Sequence, residues 1–127
     1  MNILLDTHAL IWFLDDDKRL SRTAKEAIFC HENIIFISIA SLWEIGIKLS
    51  TGKLNSNVGL DGFADAIEKN GFILLAISPE HIKAVTELPF VHRDPFDRIL
   101  IAQANVEKMT IMTVDENIHA YGTPHLW

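Results

Sequence analysis

Short apolar runs alternate with helical patterns along this chain. "NILL" (2–5), "IIFIS" (34–38), "FILLAIS" (72–78) and "MTIMTV" (109–114) are almost wholly apolar rather than alternating, which predicts strands buried on both faces. Helical patterns follow each of the first three. "THALIWFL" comes directly after the first run, and "SRTAKEAIFCH" (21–31) has Ser21 as its N-cap. "IASLWEIGIKLSTG" (39–52) and "GLDGFADAIEKNG" (59–71) each end on a glycine, Gly52 and Gly71, suited to close a helix. "SPEHIKAVTEL" has Ser78 as N-cap and Pro79 at N1. The helix opened by "DPFD" repeats that device, with Asp94 as N-cap and Pro95 in the first turn. Strands alternating with helices predict an α/β fold: a parallel sheet covered on both faces, an α/β/α sandwich built as a single domain over residues 1–127. The Gly/Asn/Ser-rich stretch around 51–60 predicts an exposed loop, and there is no internal repeat. "ALIWFL" is apolar nearly all round its helix, more than one buried face needs, so either the sheet or a partner must cover it. Trp12, Phe13 and Trp43 are accordingly expected in the core or an interface rather than as base-stacking surfaces.

Composition narrows the function classes. The chain has 127 residues, is 49% hydrophobic and 22% charged, and carries a formal net charge of -6. A broad basic surface for nucleic acid is therefore excluded, and any contact with nucleic acid must be local, metal-mediated or helped by a partner. Cys30 is the only cysteine, so no intrachain disulfide is possible and a reducing compartment fits. No apolar run approaches the roughly 18 residues of a membrane span. "MNILLDTHAL" has an acid at its sixth position and no basic leader, so a cytoplasmic protein is expected.

In open α/β sheets, sites form outside the carboxyl ends of the strands. Asp6 follows "NILL" and Asp115 follows "MTIMTV", which puts both acids on one edge of a parallel sheet. Singly, Asp6 could cap the next helix and Asp115 could open a turn. Glu44 lies one to two turns into the helix after the second strand, where an i,i+4 surface pair with Lys48 is the simpler reading. Asp97 stands at N3 of the "DPFD" helix, where an acid can complete a capping box and meet the helix dipole. Jointly these explanations are weaker, because the elements carrying all four acids converge on one edge. Crowded carboxylates repel one another, and a divalent cation is the usual remedy. Oxygen ligands without cysteine point to Mg²⁺ or Mn²⁺, an ion able to activate water and stabilise charge on a phosphate.

"MNILLDTHALIWFL", "SIASLWEIGIKLSTGKL", "HRDPFDRILIAQA" and "IMTVDENI" occur in that order and cover residues 1 to about 120. Together they resemble PIN-domain ribonucleases of the VapC toxin type, found in bacterial toxin–antitoxin pairs. The resemblance implies a parallel sheet flanked by helices and an acidic cluster that binds Mg²⁺ or Mn²⁺ and cleaves RNA endonucleolytically. It assigns the cluster to Asp6, Glu44, Asp97 and Asp115, as both catalytic and metal-binding residues; Glu116 adjoins the last and competes for its place. Asp94 stays a cap. Asp6 and Asp97 are expected to hold the principal ion directly, with Glu44 and Asp115 reaching it through water. The resemblance also implies an antitoxin whose peptide lies in a groove near the site, and a homodimer or toxin–antitoxin hetero-oligomer. An acidic toxin suits an antitoxin segment that brings an Arg or Lys towards the carboxylates.

Arg93, Arg98 and Lys48 are the cations nearest the acids in sequence and are candidates for RNA phosphates. Arg98 could equally pair with Asp94 one turn away. His8 is expected to be packed or hydrogen-bonded rather than catalytic. A haloacid-dehalogenase-type phosphatase needs an acid two residues after Asp6, where His8 stands. A nucleotide-binding protein would need a Gly-rich phosphate loop, which is missing. The remaining alternative is a catalytically weak PIN-like module that only binds RNA or protein.

Overall fold

A computed structural model describes all 127 residues, Met1–Trp127. The chain runs β1 (Asn2–Leu5), α1 (Thr7–Leu14), α2 (Arg22–Phe29), β2 (Ile34–Ser38), α3 (Ile39–Ser50), α4 (Gly59–Lys69), β3 (Ile73–Leu75), α5 (Pro79–Glu87), α6 (Pro95–Glu107), β4 (Thr110–Met112), α7 (Glu116–His119) and β5 (His125–Leu126). All four strand pairings are parallel, in the order β3-β2-β1-β4-β5. The expected α/β/α architecture is therefore the one observed.

The all-apolar strands are explained by burial on both sides. Ile3 and Leu5 of β1 face a layer of 15 buried residues that includes Leu10, Ile28, Ile45, Phe63 and Ile67. Leu4 faces the opposite layer, with Leu100, Ile101 and Ala104 of α6, Ile111 and Ile118. The helix α1 is covered in part by the chain itself, with Trp12, Phe13 and Leu14 half-buried. Ala9, Leu10 and Ile11 are buried, Phe13 packs between Phe29 and Phe72, and Trp12 meets Trp127 edge-on at 5.7 Å.

Local signals act as the sequence implies. Ser21, Ser78 and Asp94 each accept a backbone N–H as N-caps. Gly52 and Gly71 follow the last helical turns of α3 and α4 with φ of 74° and 71°, where a side chain would be strained. Two strands are shorter than their apolar runs. β3 ends at Leu75, where its register with β2 ends at Ser38 and the chain leaves the sheet towards the Ser78 cap. β4 ends at Met112, where the Thr113 hydroxyl donates to Asp6 and accepts the Asp115 backbone N–H around the strand end. The four-residue α7 and two-residue β5 were not expected; both are too short to carry a periodic signal. Of the two places expected for Trp43, core or interface, the core is excluded. Its side chain is 65% exposed on α3 and touches Phe96 edge-on at 5.3 Å.

The strand order fixes where a site can form. From β1 the chain winds outwards through β2 and β3, then crosses back to place β4 on the other side of β1. The crevice between the carboxyl ends of β1 and β4 is thus the switch point of the sheet. Because α6 runs back antiparallel to the strands before β4, its N-terminus also lies at this edge. Leu100, 1% exposed, anchors α6 to the sheet. Leu100→Ala should cost about 3 kcal/mol in denaturant unfolding with an unchanged m-value, as expected for a core cavity.

Candidate functional site

Asp6 leaves β1 at the switch point and is 4% exposed. One carboxylate oxygen accepts the Ala9 N–H at 2.7 Å as N-cap of α1, and the other accepts the hydroxyl of Thr113, which is fully buried just past β4. Burial pushes the Asp6 carboxyl up from its ordinary value. The bonds from Thr113 and Ala9 and the nearby His8 oppose this, while Asp115 adds to it. Asp115 is held by the same hydroxyl, since its backbone N–H donates to Thr113 Oγ1 at 3.0 Å. Its carboxylate caps α7 through the Asn117 N–H, so the expectation of a turn-forming role is met by a short helix. Glu116 is exposed at the first position of α7, whereas Asp115 is electrostatically coupled to both Asp6 and Asp97.

Asp97 sits at N3 of α6, but capping there is done by Asp94, whose Oδ1 accepts both the Phe96 and Asp97 N–H groups. The Asp97 carboxylate takes no backbone donor. Its partner is His92, with Nε2 3.0 Å from Oδ2. Burial raises its pKa to about 6; His92 opposes the shift, and Asp94 and Asp115 reinforce it. Asp115 thus repels both Asp6 and Asp97 at the sheet edge, and no lysine or arginine pairs with any of the three. Glu44 differs. Its carboxylate is 14% exposed and lies 3.2 Å from Lys48 Nζ, so the i,i+4 pair does form.

No three acid, histidine or cysteine side chains converge into a ready-made metal cage. The donor set nonetheless suits a hard divalent cation. The oxygens are carboxylates, two of them are held up in pKa by burial, and their charge lacks a fixed counter-ion. An incomplete shell of this kind could hold Mg²⁺ or Mn²⁺, which keep several waters, better than zinc, which calls for nitrogen and sulfur donors.

The three candidate cations part company. Arg93 is exposed, its guanidinium 5.1 Å from the Phe90 ring. Lys48 is occupied by Glu44. Arg98 is neither a phosphate ligand nor the partner of Asp94. It is 6% exposed and donates to the carbonyls of Val85, Leu88 and Pro89 and to the Tyr121 hydroxyl. Its guanidinium is spent bolting the segment after α5 to α6. Residues missed in the sequence are Thr113, His92 and Tyr121. Thr113 carried a weak signal, standing two positions before Asp115; the other two meet from 29 residues apart and left none.

These shifts make stability depend on pH in an unusual direction. A carboxyl whose folded pKa lies above its unfolded one takes up a proton more readily when folded. Its contribution is fully present below the ordinary value and is lost as pH rises through about 6 for Asp97. Asp6 and His92, both raised, act in the same sense. The metal-free protein should therefore gain stability from about pH 7.5 to about pH 5 in denaturant titrations. Asp97→Asn should flatten part of that slope and stabilise the metal-free protein at pH 7.5 by about 1 kcal/mol, after discounting for solvent screening at a partly exposed carboxylate.

Comparison with known proteins agrees with this architecture. No curated protein sequence matches the chain. Among solved structures, VapBC2 from Rickettsia felis bound to a DNA fragment from its promoter superposes with a TM-score of 0.77 at 15% identity, covering 100% of this chain and 99% of that one. FitAcB from Neisseria gonorrhoeae gives 0.69 at 16% identity over 98% and 96% of the two chains. A toxin–antitoxin complex from Klebsiella pneumoniae gives 0.64 at 18% over 98% and 96%. At these identities the likeness is one of fold. The sequence model of the PIN domain matches residues 3–123, and the chain belongs to the PIN domain family.

Proposed function

We propose that this chain is a divalent-metal-dependent endoribonuclease, acting in the cytoplasm as the toxic component of a toxin–antitoxin pair. The observation that carries the reading is that Asp115 is coupled to both Asp6 and Asp97 at the sheet switch point, with no lysine or arginine to neutralise the three carboxylates. Asp6 and Asp97 would hold Mg²⁺ or Mn²⁺, with Asp115 and Glu44 completing its surroundings. Such an ion, when bound, supplies an activated water and positive charge beside the phosphate.

The protein's own groups do the rest. Thr113 and the Ala9 N–H hold Asp6 in one orientation, so that its charge is fixed at the crevice. Arg93, free of ion pairs and exposed, receives an RNA phosphate next to the N-terminus of α6. Lys48 joins it when Glu44 turns towards a cation, since the two compete for the same carboxylate. With a net charge of -6, RNA affinity has to come from these few local cations.

A partner is supported by a groove of about 450 Å³ beside the site, lined by Trp43, Ile82, Phe90, Pro95 and Phe96 and flanked by Arg93. Trp43 and Phe90 are 65% and 68% exposed there. A second copy or an antitoxin segment would cover them, and the Klebsiella pneumoniae neighbour is itself a toxin–antitoxin complex. The observation favouring a catalytically weak binding module is the Lys48–Glu44 pair, which leaves one of the four acids already neutralised.

An RNA cleavage assay decides between these readings. The purified chain should cut unstructured RNA with Mg²⁺ or Mn²⁺, and EDTA or Asp6→Asn should each reduce cleavage to background. Persistence in either control would overturn the metal mechanism. A folded wild-type protein inactive under all metal conditions would establish the binding module instead.

A further inference from the structure

The bonds around Tyr121 determine which hydrogen of His92 faces Asp97. The Tyr121 oxygen receives two donors, the His92 backbone N–H at 3.2 Å and Arg98 Nη1 at 2.9 Å. Those use both of its lone pairs. Its single proton then has two acceptors in reach, His92 Nδ1 at 3.0 Å and the His92 carbonyl at 3.1 Å. If Nδ1 carried the ring hydrogen, it would be a third donor pointed at an oxygen with no lone pair left. Nδ1 is therefore the acceptor of the Tyr121 hydroxyl, and the hydrogen of the neutral ring sits on Nε2. That nitrogen lies 3.0 Å from Asp97 Oδ2.

We infer that His92, with its tautomer set by Tyr121, is a positioning residue that holds Asp97 Oδ2 and leaves Oδ1 as the oxygen free to bind a metal ion. This rests on the reading of Asp97 as a metal ligand. The support is closed on itself. Arg98, the next residue along α6, bonds the carbonyls of Val85, Leu88 and Pro89 and the Tyr121 hydroxyl, which fixes the segment that presents His92. His92 then returns to α6 one residue earlier, at Asp97. Without this contact the Asp97 side chain has no hydrogen-bond partner, since its helix is capped by Asp94. A hydrogen bond from a fixed donor orients a ligating carboxylate, and its loss typically lowers metal affinity about 10–100-fold.

The test is Mn²⁺ binding to the metal-free full chain by calorimetry, with melting curves for each variant. His92→Ala should weaken binding about 10-fold, and His92→Gln, which retains an N–H donor, should recover it to within about 3-fold of wild type. Equal weakening in both variants overturns the inference, because the ring rather than its N–H would matter. If Asp97→Asn weakens Mn²⁺ binding while His92→Ala does not, the positioning role fails and the metal reading stands. If Asp97→Asn binds like wild type, the metal reading itself fails and the inference with it. Nitrogen NMR of wild-type His92 at pH 8 needs no variant to fold: the Nε2–H tautomer is expected, and the Nδ1–H tautomer would overturn the assignment.

Discussion

The site depends on a buried carboxylate at the point where the strand order reverses. Asp6 is placed there by β1, fastened by a helix N-terminus on one oxygen and by Thr113, just past the neighbouring strand, on the other. Burying a charge without a counter-ion is costly, and hydrogen bonds offset only part of that cost. The fold tolerates it because two hydrophobic layers, one on each face of a fully parallel sheet, hold β1 and β4 side by side. Stability is concentrated in the sheet, and the strained electrostatics sit at its rim.

Much of this was legible in the sequence, for identifiable reasons. All-apolar strands report burial on two faces, and caps such as Ser78 and Asp94–Pro95 mark helix starts within a residue. Those signals are local. Given parallel order, an acid after an apolar strand must lie at the carboxyl edge, which located Asp6 and Asp115. The bonds that tie the site together are not local. His92 to Tyr121 and Thr113 to Asp6 join residues far apart in sequence, and no spacing rule announces them. The inward position of Arg98 is hidden from the sequence for a related reason. Near acids in sequence an arginine suggests a phosphate ligand, but its position on α6 turns it inwards, where backbone carbonyls claim the guanidinium.

The two sides of α6 divide the labour. At its N-terminus, Asp94 does the structural work of capping, which frees Asp97 one turn later from any backbone obligation. Further along, Leu100, Ile101 and Ala104 seat the helix on the sheet. The acid is exact in place because the apolar residues after it leave the helix no freedom to shift. Nearby, Trp43 and Phe90 remain uncovered, 65% and 68% exposed.

The Thr113–Asp6 bond spans 107 residues of sequence. A chain made from its N-terminus completes β1 and its acid before α6 and β4 are made, and Thr113 emerges 107 residues after Asp6. Until then Asp6 has neither its cross-strand donor nor its acidic neighbours. The order in which the polypeptide is made therefore acts as a clock: the acidic edge comes together only once α6, β4 and Thr113 have been made, and a chain stalled before them carries Asp6 without Asp97 and Asp115.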